Sequence, residues 1–460
     1  MNHSFLRKLT PALAVLALLS ALGPRLHAAD SDELKLLREQ IRALEQKLLV
    51  IERKQEIRDE AAAAAPAPRV TASDRAFTLV SADAANSIRL RGLVQLDSRL
   101  FFGDEGIVNN AFVLRRARLI SEGLFAKNYS FQLVTEFGGS AVSILDANLN
   151  IALSKGLQFK LGKFKSPVGL EQLQSDTWTF FNERSIANNL VPNRDLGIQA
   201  WGDLLDGRLS YAVGVFNGVA DGASSTNTDF DNEKDFVGRV TTTPFKNAAG
   251  SPVQGLTLGL AGSYGREKTA AGRTAGFRTD GQQTFFAYNA AVVADGPSWR
   301  VTPQLDYRSG SFGLLGEYIL STINVRPSAT GAKAELQNKG WQLAAGYVLT
   351  GEDSSYAGVV QQTNFDRAAG TWGAFEVTGR YASLDVDDAA FPLFASAASN
   401  ASKATSLGVG LNWYLSKAVS FKIDYYQTNF GFNSAAPAVP TAPVLRQDEQ
   451  VFITRFQLGF

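Results

Sequence analysis

The chain has 460 residues but no cysteine, and its only histidines are His3 and His27. Without cysteine there is no disulfide framework, no thiolate-held iron–sulfur cluster and no thiol nucleophile. Both histidines fall in a stretch that reads as a removable leader, so the mature chain would have neither residue type. That excludes a Ser-His-Asp triad, a histidine general base and the usual zinc sites. An enzyme is therefore the most distant reading, and no metal or other cofactor is implied. A strong charge of one sign is also missing, with 45 Lys and Arg against 44 Asp and Glu. Losing Arg7, Lys8 and Arg25 with the leader takes the formal charge from +1 to −2. A near-neutral chain is not a bulk nucleic-acid binder. Beyond the leader, no segment offers the roughly 18 consecutive apolar residues that a membrane helix needs. The mean hydropathy of −0.06 fits neither a helical membrane protein nor a disordered chain.

What is present falls into three parts. Residues 1–28 read as a signal peptide. Arg7 and Lys8 precede an apolar stretch from Leu9 to Leu22, and the small residues Ala28 and Ala29 follow. That stretch is too short to cross a hydrocarbon layer of about 30 Å. Next, apolar residues recur at Leu34, Leu37, Ile41, Leu44, Leu48 and Ile51, with charged residues between them. The spacings of 3, 4, 3, 4 and 3 form an a/d heptad seam and predict a coiled-coil helix over 30–60. A single amphipathic helix lying on a surface would give the same pattern. Fewer than three heptads are marginal alone, so another contact must hold such chains together. Residues 61–87, beginning AAAAAPAP, read as an Ala/Pro linker.

From 88 to 460 the rhythm becomes two residues. In the first segment Ile88, Leu90, Val94, Leu96 and Leu100 oppose Arg89, Arg91, Gln95, Asp97 and Arg99. Segments such as Leu145–Leu153, Trp299–Tyr307 and Phe421–Tyr425 repeat the pattern. A soluble sandwich alternates too. Three features favour a membrane barrel: an export signal, long strands, and aromatics at strand ends (Phe101, Phe102, Trp201, Trp299, Trp341, Trp372, Trp413, Tyr414). The expected fold is all-β, a transmembrane antiparallel β-barrel of about 16 strands over 88–460 after a short N-terminal coiled-coil helix. Seventeen alternating segments can be counted. Bacterial single-chain barrels have even numbers, so 282–293, which alternates poorly, is assigned to a long loop. Eighteen strands is the other even count. The long link 166–194 is mixed enough in composition to fold on itself and dip into the bore. The final strand ends at Phe460, with Phe456 and Leu458 before it. That aromatic end resembles the signal by which outer-membrane barrels are recognised for assembly.

Several stretches together resemble the phosphate-selective porin O and P family. They are AFVLRRARLISEGLF (111–125), LGKFKSPVGLEQLQSDTWTFFNERS (161–185), VGRVTTTPFK (237–246), SFGLLGEYI (311–319), GWQLAAGYVLTGE (340–352) and WGAFEVTGRYASLDV (372–386). The resemblance implies a sixteen-stranded homotrimeric porin of a Gram-negative outer membrane, with the third loop as constriction. It also implies passive diffusion of anions such as phosphate or polyphosphate along channel arginines. The implied partners are inorganic anions, the lipid bilayer with lipopolysaccharide, and the barrel assembly machinery. The helix would lie in the periplasm.

Strand phase places Arg89, Arg91, Arg99, Arg116, Arg118, Lys160, Arg239, Arg300, Arg308, Arg380, Lys422 and Arg455 on the inward face. Arg115 and Arg116 match the family's double arginine. Alternation admits only one of them to the lumen, so either a bulge turns both inward or Arg115 faces head groups. Guanidinium groups suit phosphate because each donates two parallel hydrogen bonds. The opposing reading is that these cations only balance lumen carboxylates. Arg266, Arg273 and Arg278 form a second basic group in 266–296, able to enter the vestibule or to sit in solvent. The constriction loop carries Glu171, Asp176 and Glu183, with Arg184 as its single arginine before Arg194. The position before Trp178 is Thr177, where the family's phosphate-specific pattern has lysine. Each missing cation raises the cost of seating a multivalent anion. General anion or small-solute passage follows more readily than high phosphate specificity. A porin without ion preference and a structural anchor acting through the helix are the remaining alternatives.

Overall fold

A computed structural model describes residues 31–64, 67–102, 108–269, 274, 276–434 and 448–460. The predicted leader, Arg273 and the side chain of Leu34 lie outside the described residues. The chain divides into two units, residues 1–67 and 68–460. In the first, a helix (α1) spans Ser31–Ala64, continuing into the alanine run read as linker. Along it Leu37, Ile41, Leu44, Leu48 and Ile51 are all exposed.

The second unit is a closed antiparallel barrel. Its main sheet has 18 strands, two of which form a hairpin outside the wall. The sixteen wall strands are β1 Ser87–Phe102, β2 Ala111–Phe125, β3 Tyr129–Glu136, β4 Ser143–Ser154, β5 Leu157–Lys165, β6 Arg194–Leu204, β7 Leu209–Phe216 and β8 Asp235–Thr242, then β9 Leu256–Lys268, β10 Val293–Ser309, β11 Phe312–Arg326, β12 Ala334–Val348, β13 Ala374–Asp385, β14 Lys403–Tyr414, β15 Val419–Gly431 and β16 Asp448–Gly459. Each pairs with its sequence neighbour, and β16 closes on β1 from Gln450↔Phe102 to Gly459↔Leu93. Closure pairs the wall's backbone groups, as a hydrocarbon surround demands. The segment 282–293 lies outside the wall except for Val293, the first residue of β10. Its Thr284–Ala287 pairs with Gly276–Arg278 in a separate two-stranded sheet.

At its end the seam between β16 and β1 passes a glycine that nothing larger replaces freely. Phe460 exchanges backbone hydrogen bonds with Gly92 (2.6 and 3.0 Å). A Cβ at Gly92 would meet the Phe460 ring at 2.5 Å, so no larger residue fits without a shift. Beyond that point β1 has no wall partner on this side. A hairpin of Arg69–Ser73 and Ala76–Val80, within the stretch read as linker, covers the edge by pairing Phe77↔Leu90 through Val80↔Ser87.

Outward positions are apolar and exposed, among them Leu96, Leu119, Ile198, Val213, Leu260, Leu407 and Phe456. Three of the aromatics assigned to strand ends point inward instead. Trp201 donates to Asn150 (2.8 Å), Tyr414 donates to Glu376 (2.7 Å), and Phe101 packs against the buried cluster around Phe181 and Tyr426.

The interior is filled on one side. The link between β5 and β6, carrying a short helix Leu170–Leu173 and a 3-10 turn Ile186–Leu190, touches inward residues of many strands. The backbone N–H of Leu170 donates to Glu317 (2.8 Å), and that of Asn182 donates to Asp424 (2.6 Å). Asn412 and Lys422 donate to the carbonyls of Phe180 and Thr179 (2.9 and 2.6 Å). Such contacts are reachable only from inside the tube. Ile186, Ala187 and Leu190 join Phe277, Phe286, Val292, Phe391 and Phe394 in an apolar cluster. The connections after β9 and β13 therefore fold inward as well. From the opposite end, the β12–β13 link enters too, with Tyr356 donating to Leu170 O (2.5 Å).

Candidate functional site: an arginine-lined constriction

Beside the inner loop a cavity of about 610 Å³ stays open. Six arginines line it (Arg115, Arg116, Arg118, Arg184, Arg194, Arg278) with four carboxylates (Glu136, Asp176, Glu183, Asp221), an excess of two positive charges.

The double arginine reaches this cavity through a bulge. Gln95 opposes Arg116 but Leu96 opposes Leu114, so Arg115 is the extra residue on β2. Both side chains then point inward. Arg115 grips Glu183 with two hydrogen bonds (2.6 and 2.8 Å), while Arg116 donates to Gln95 (2.7 Å) and lies 3.5 Å from Asp176. Arg118 bridges Glu136 (2.6 Å) and Asp176. Arg184 pairs with Asp176 and donates to the carbonyls of Glu171 (3.0 Å) and Gln174 (2.8 Å), closing the loop on itself. Arg194 pairs with Asp146 at 3.1 Å. Among the described residues, Arg278 is the one lining arginine without an ion pair, and it is exposed.

Burial alone would raise the Asp176 carboxyl, but Arg116, Arg184 and Arg118 outweigh it and hold it well below the usual carboxylate range. Glu183 behaves alike, with Arg115 and Arg455 overcoming its burial. Asp176 and Glu183 are therefore fixed negative charges.

The other inward cations divide into two sets. Arg300 is 1% exposed among Asp221 (2.6 Å), Glu267 (3.6 Å) and Asp235 (3.7 Å). Arg380 is buried between Asp280 (2.5 Å) and Glu171 (3.4 Å). Arg455 holds Asp97 and Glu183 (2.6 and 2.9 Å), and Arg99 shares both acids. Lys422 is buried on a loop carbonyl. These groups staple the inner loops to the wall. Arg89, Arg91, Lys160 and Arg239 are half-buried on the open side. Arg89 and Arg91 pair with Glu122 (3.3 and 2.9 Å), Arg239 donates to Gln304 (3.0 Å), and Lys160 lies over Phe164 and Trp201 (5.4 and 5.5 Å). Arg308 pairs with Asp306 and stacks over Phe180 at 4.7 Å. Arg266 belongs to β9 rather than to the following loop. It shares the exposed register of Leu260 and Tyr264, on the outer face of the wall.

Strand phase alone missed two lysines. Gly162 takes φ +115°, and a Cβ there would meet Ala147 O at 2.2 Å, so the backbone departs from regular strand geometry at this residue. Lys163 is thereby buried beside Arg194 and Asp146, and Lys165 donates to Gln174 O (2.8 Å). An isolated glycine between apolar and basic residues was the available signal.

A sequence model described as "Phosphate-selective porin O and P" matches residues 88–460, the barrel with its inner loops. The chain belongs to this family. It is an outer-membrane porin, a channel protein. The chain is 24% identical to Porin O of Pseudomonas aeruginosa over 380 residues, covering 75% of this chain and 84% of that protein. In fold it is similar to the outer membrane channel DcaP of Acinetobacter baumannii, with TM-score 0.52 and 12% identity over 82% of this chain and 98% of that one. It is also similar to an anion-selective porin from Comamonas acidovorans, with TM-score 0.50 and 13% identity over 82% and 100%.

Proposed function

We propose that the porin is a passive channel for small anions, with the bulged arginine cluster and the inner loop as its selective zone. The observation that carries this reading is the excess of two guanidiniums in the cavity beside the loop. In a low-dielectric tube a small net charge biases which ion enters. Most of these arginines are held by carboxylates, so an anion meets a graded series of weak contacts and is not trapped. Phosphate and polyphosphate-like oxyanions fit the donor set, and chloride passes by the same route.

The inward cations of the open side, Arg89, Arg91, Lys160 and Arg239, would extend the path toward the end with short turns, which is the periplasmic end in barrels of this type. The apolar outer face suits a bilayer with its lipopolysaccharide. The terminal strand ending in Phe456 and Phe460 suits capture by the barrel assembly machinery. The working unit is a homotrimer, its seam residues on α1 meeting in the periplasm. Their exposure in a single chain supports that role. The reversal potential of the purified porin in a salt gradient tests the reading. Anion sign is expected, and a value near zero or of cation sign would favour the general-porin alternative. Removing 31–64 separates an anchor role from a channel role: unchanged envelope attachment would end the anchor idea.

A further inference from the structure

We propose that Asp176 is a tethered occupant of a three-arginine oxyanion site, and that its carboxylate sets how weakly the channel holds phosphate. This rests on the anion-channel reading above and specifies the ligand chemistry of the same site.

Three guanidiniums from two parts of the chain, Arg116 and Arg118 on β2 and Arg184 on the loop, converge on this one carboxylate. Asp176 is 7% exposed, yet it lines the cavity through which solute would approach. None of the three arginines depends on Asp176 for its placement. Arg116 is held by Gln95 (2.7 Å), Arg118 by Glu136 (2.6 Å), and Arg184 by the carbonyls of Glu171 and Gln174. The loop itself is pinned by Gln95 donating to the backbone oxygen of Asp176 (3.1 Å), a bond independent of the side chain. Removing the carboxylate therefore leaves an organised set of guanidiniums whose Asp176-facing N–H groups are released. A hydrogen phosphate ion, with two charges and several acceptor oxygens, matches that set better than the carboxylate does. In the native channel a passing anion must share these guanidiniums with Asp176, so contact is brief and flux is kept.

The test measures block of chloride current by inorganic phosphate in planar bilayers, using the full-length porin. Asp176→Asn is expected to lower the half-blocking phosphate concentration by about tenfold or more, the order expected for one unit charge removed at contact distance. Asp176→Ala must shift it in the same direction. Arg116→Gln in the native background must raise it, and this arm decides the matter if neither Asp176 variant assembles. Glu122→Gln neutralises another lumen carboxylate, paired with Arg89 and Arg91 away from the loop. It must leave the blocking concentration within about twofold, a shift worth under half a kcal/mol. Equal block in native and Asp176→Asn channels overturns the proposal, as does an equal effect of Glu122→Gln. Loss of anion sign in the native reversal potential would instead remove the underlying reading.

Discussion

Two arcs of one wall follow the same alternation and end in different environments. On β9–β16 the inward groups Arg300, Thr302, Gln342, Glu376, Asn412, Asp424 and Arg455 are almost fully buried. On β2–β8 the inward groups Arg118, Glu122, Gln132, Asn148, Asn150, Lys160 and Arg239 are half-buried. The wall chemistry is alike, with arginines, carboxylates and amides on both arcs. The difference is made by the loops lying against the first arc. A strand's phase decides which face a side chain occupies, and the loops decide whether that face is protein interior or channel. Cations of the filled arc then act as fasteners, and cations of the open arc remain available to solute.

The sharpest way to break this contrast is to remove a cation from each arc. Arg300→Met strips Asp221, Asp235 and Glu267 of their one ion-pair partner among the described residues. Leaving buried carboxylates uncompensated is expected to cost about 3–5 kcal/mol in urea unfolding of the detergent-solubilised porin. Arg239→Met on the open arc loses one hydrogen bond to Gln304 and is expected to cost no more than about 1.5 kcal/mol. Equal losses would mean that the two arcs do not differ in this way.

The next effect is on selectivity. Replacing Arg116 and Arg118 together by Ala removes the charge excess of the cavity and leaves Asp176 facing Arg184. The anion-to-cation permeability ratio, read from reversal potentials, is expected to fall by a factor of roughly 3 to 10. An unchanged ratio would place the selective zone elsewhere in the bore.

Much of the architecture was legible because its signal is local. The heptad spacing of α1, the two-residue rhythm and the poor alternation of 282–293 each reflect how one segment meets its own surroundings. The sixteen-strand count followed from that rhythm and the need for closure. What escaped is non-local. Nothing in β10 distinguishes Arg300, which meets acids from three other parts of the chain, from Arg308 eight residues later. The bulge at Arg115 shifts its neighbours by one residue, enough to turn a side chain to the opposite face, and the positive φ at Gly162 distorts β5 without changing its register. The hairpin over the edge of β1 lies in a stretch whose composition suits a linker, and its strand character comes from pairing.

A smaller effect concerns pH. The carboxyls of Asp176 and Glu183 lie lower in the folded porin than in an unfolded chain, because their arginines outweigh the cost of burial. Their contribution to stability is therefore present above the ordinary carboxylate range, and it is lost only as pH falls through the depressed values. The difference in phosphate block between native and Asp176→Asn channels is accordingly expected to persist from pH 7 to about pH 4.5. If it vanished on that descent, Asp176 would be titrating above the ordinary carboxylate range, as burial without compensation from its arginines would make it do.

The smallest expected effect is at Lys160, and it probes the open arc alone. Its ammonium makes no ion pair with the described residues and rests over the rings of Phe164 and Trp201. Such contacts are worth about 0.5–1 kcal/mol where water has access. Lys160→Met keeps the stem and removes the charge, so stability is expected to change by less than about 1 kcal/mol. The ammonium nevertheless faces the bore, some way from the arginine cluster, and its loss is expected to lower chloride conductance slightly at low salt. At high salt, where screening shortens its reach to a few ångströms, the two channels are expected to conduct alike. A large stability loss would show that Lys160 fastens structure, as Arg300 does, and would move this part of β5 into the filled arc.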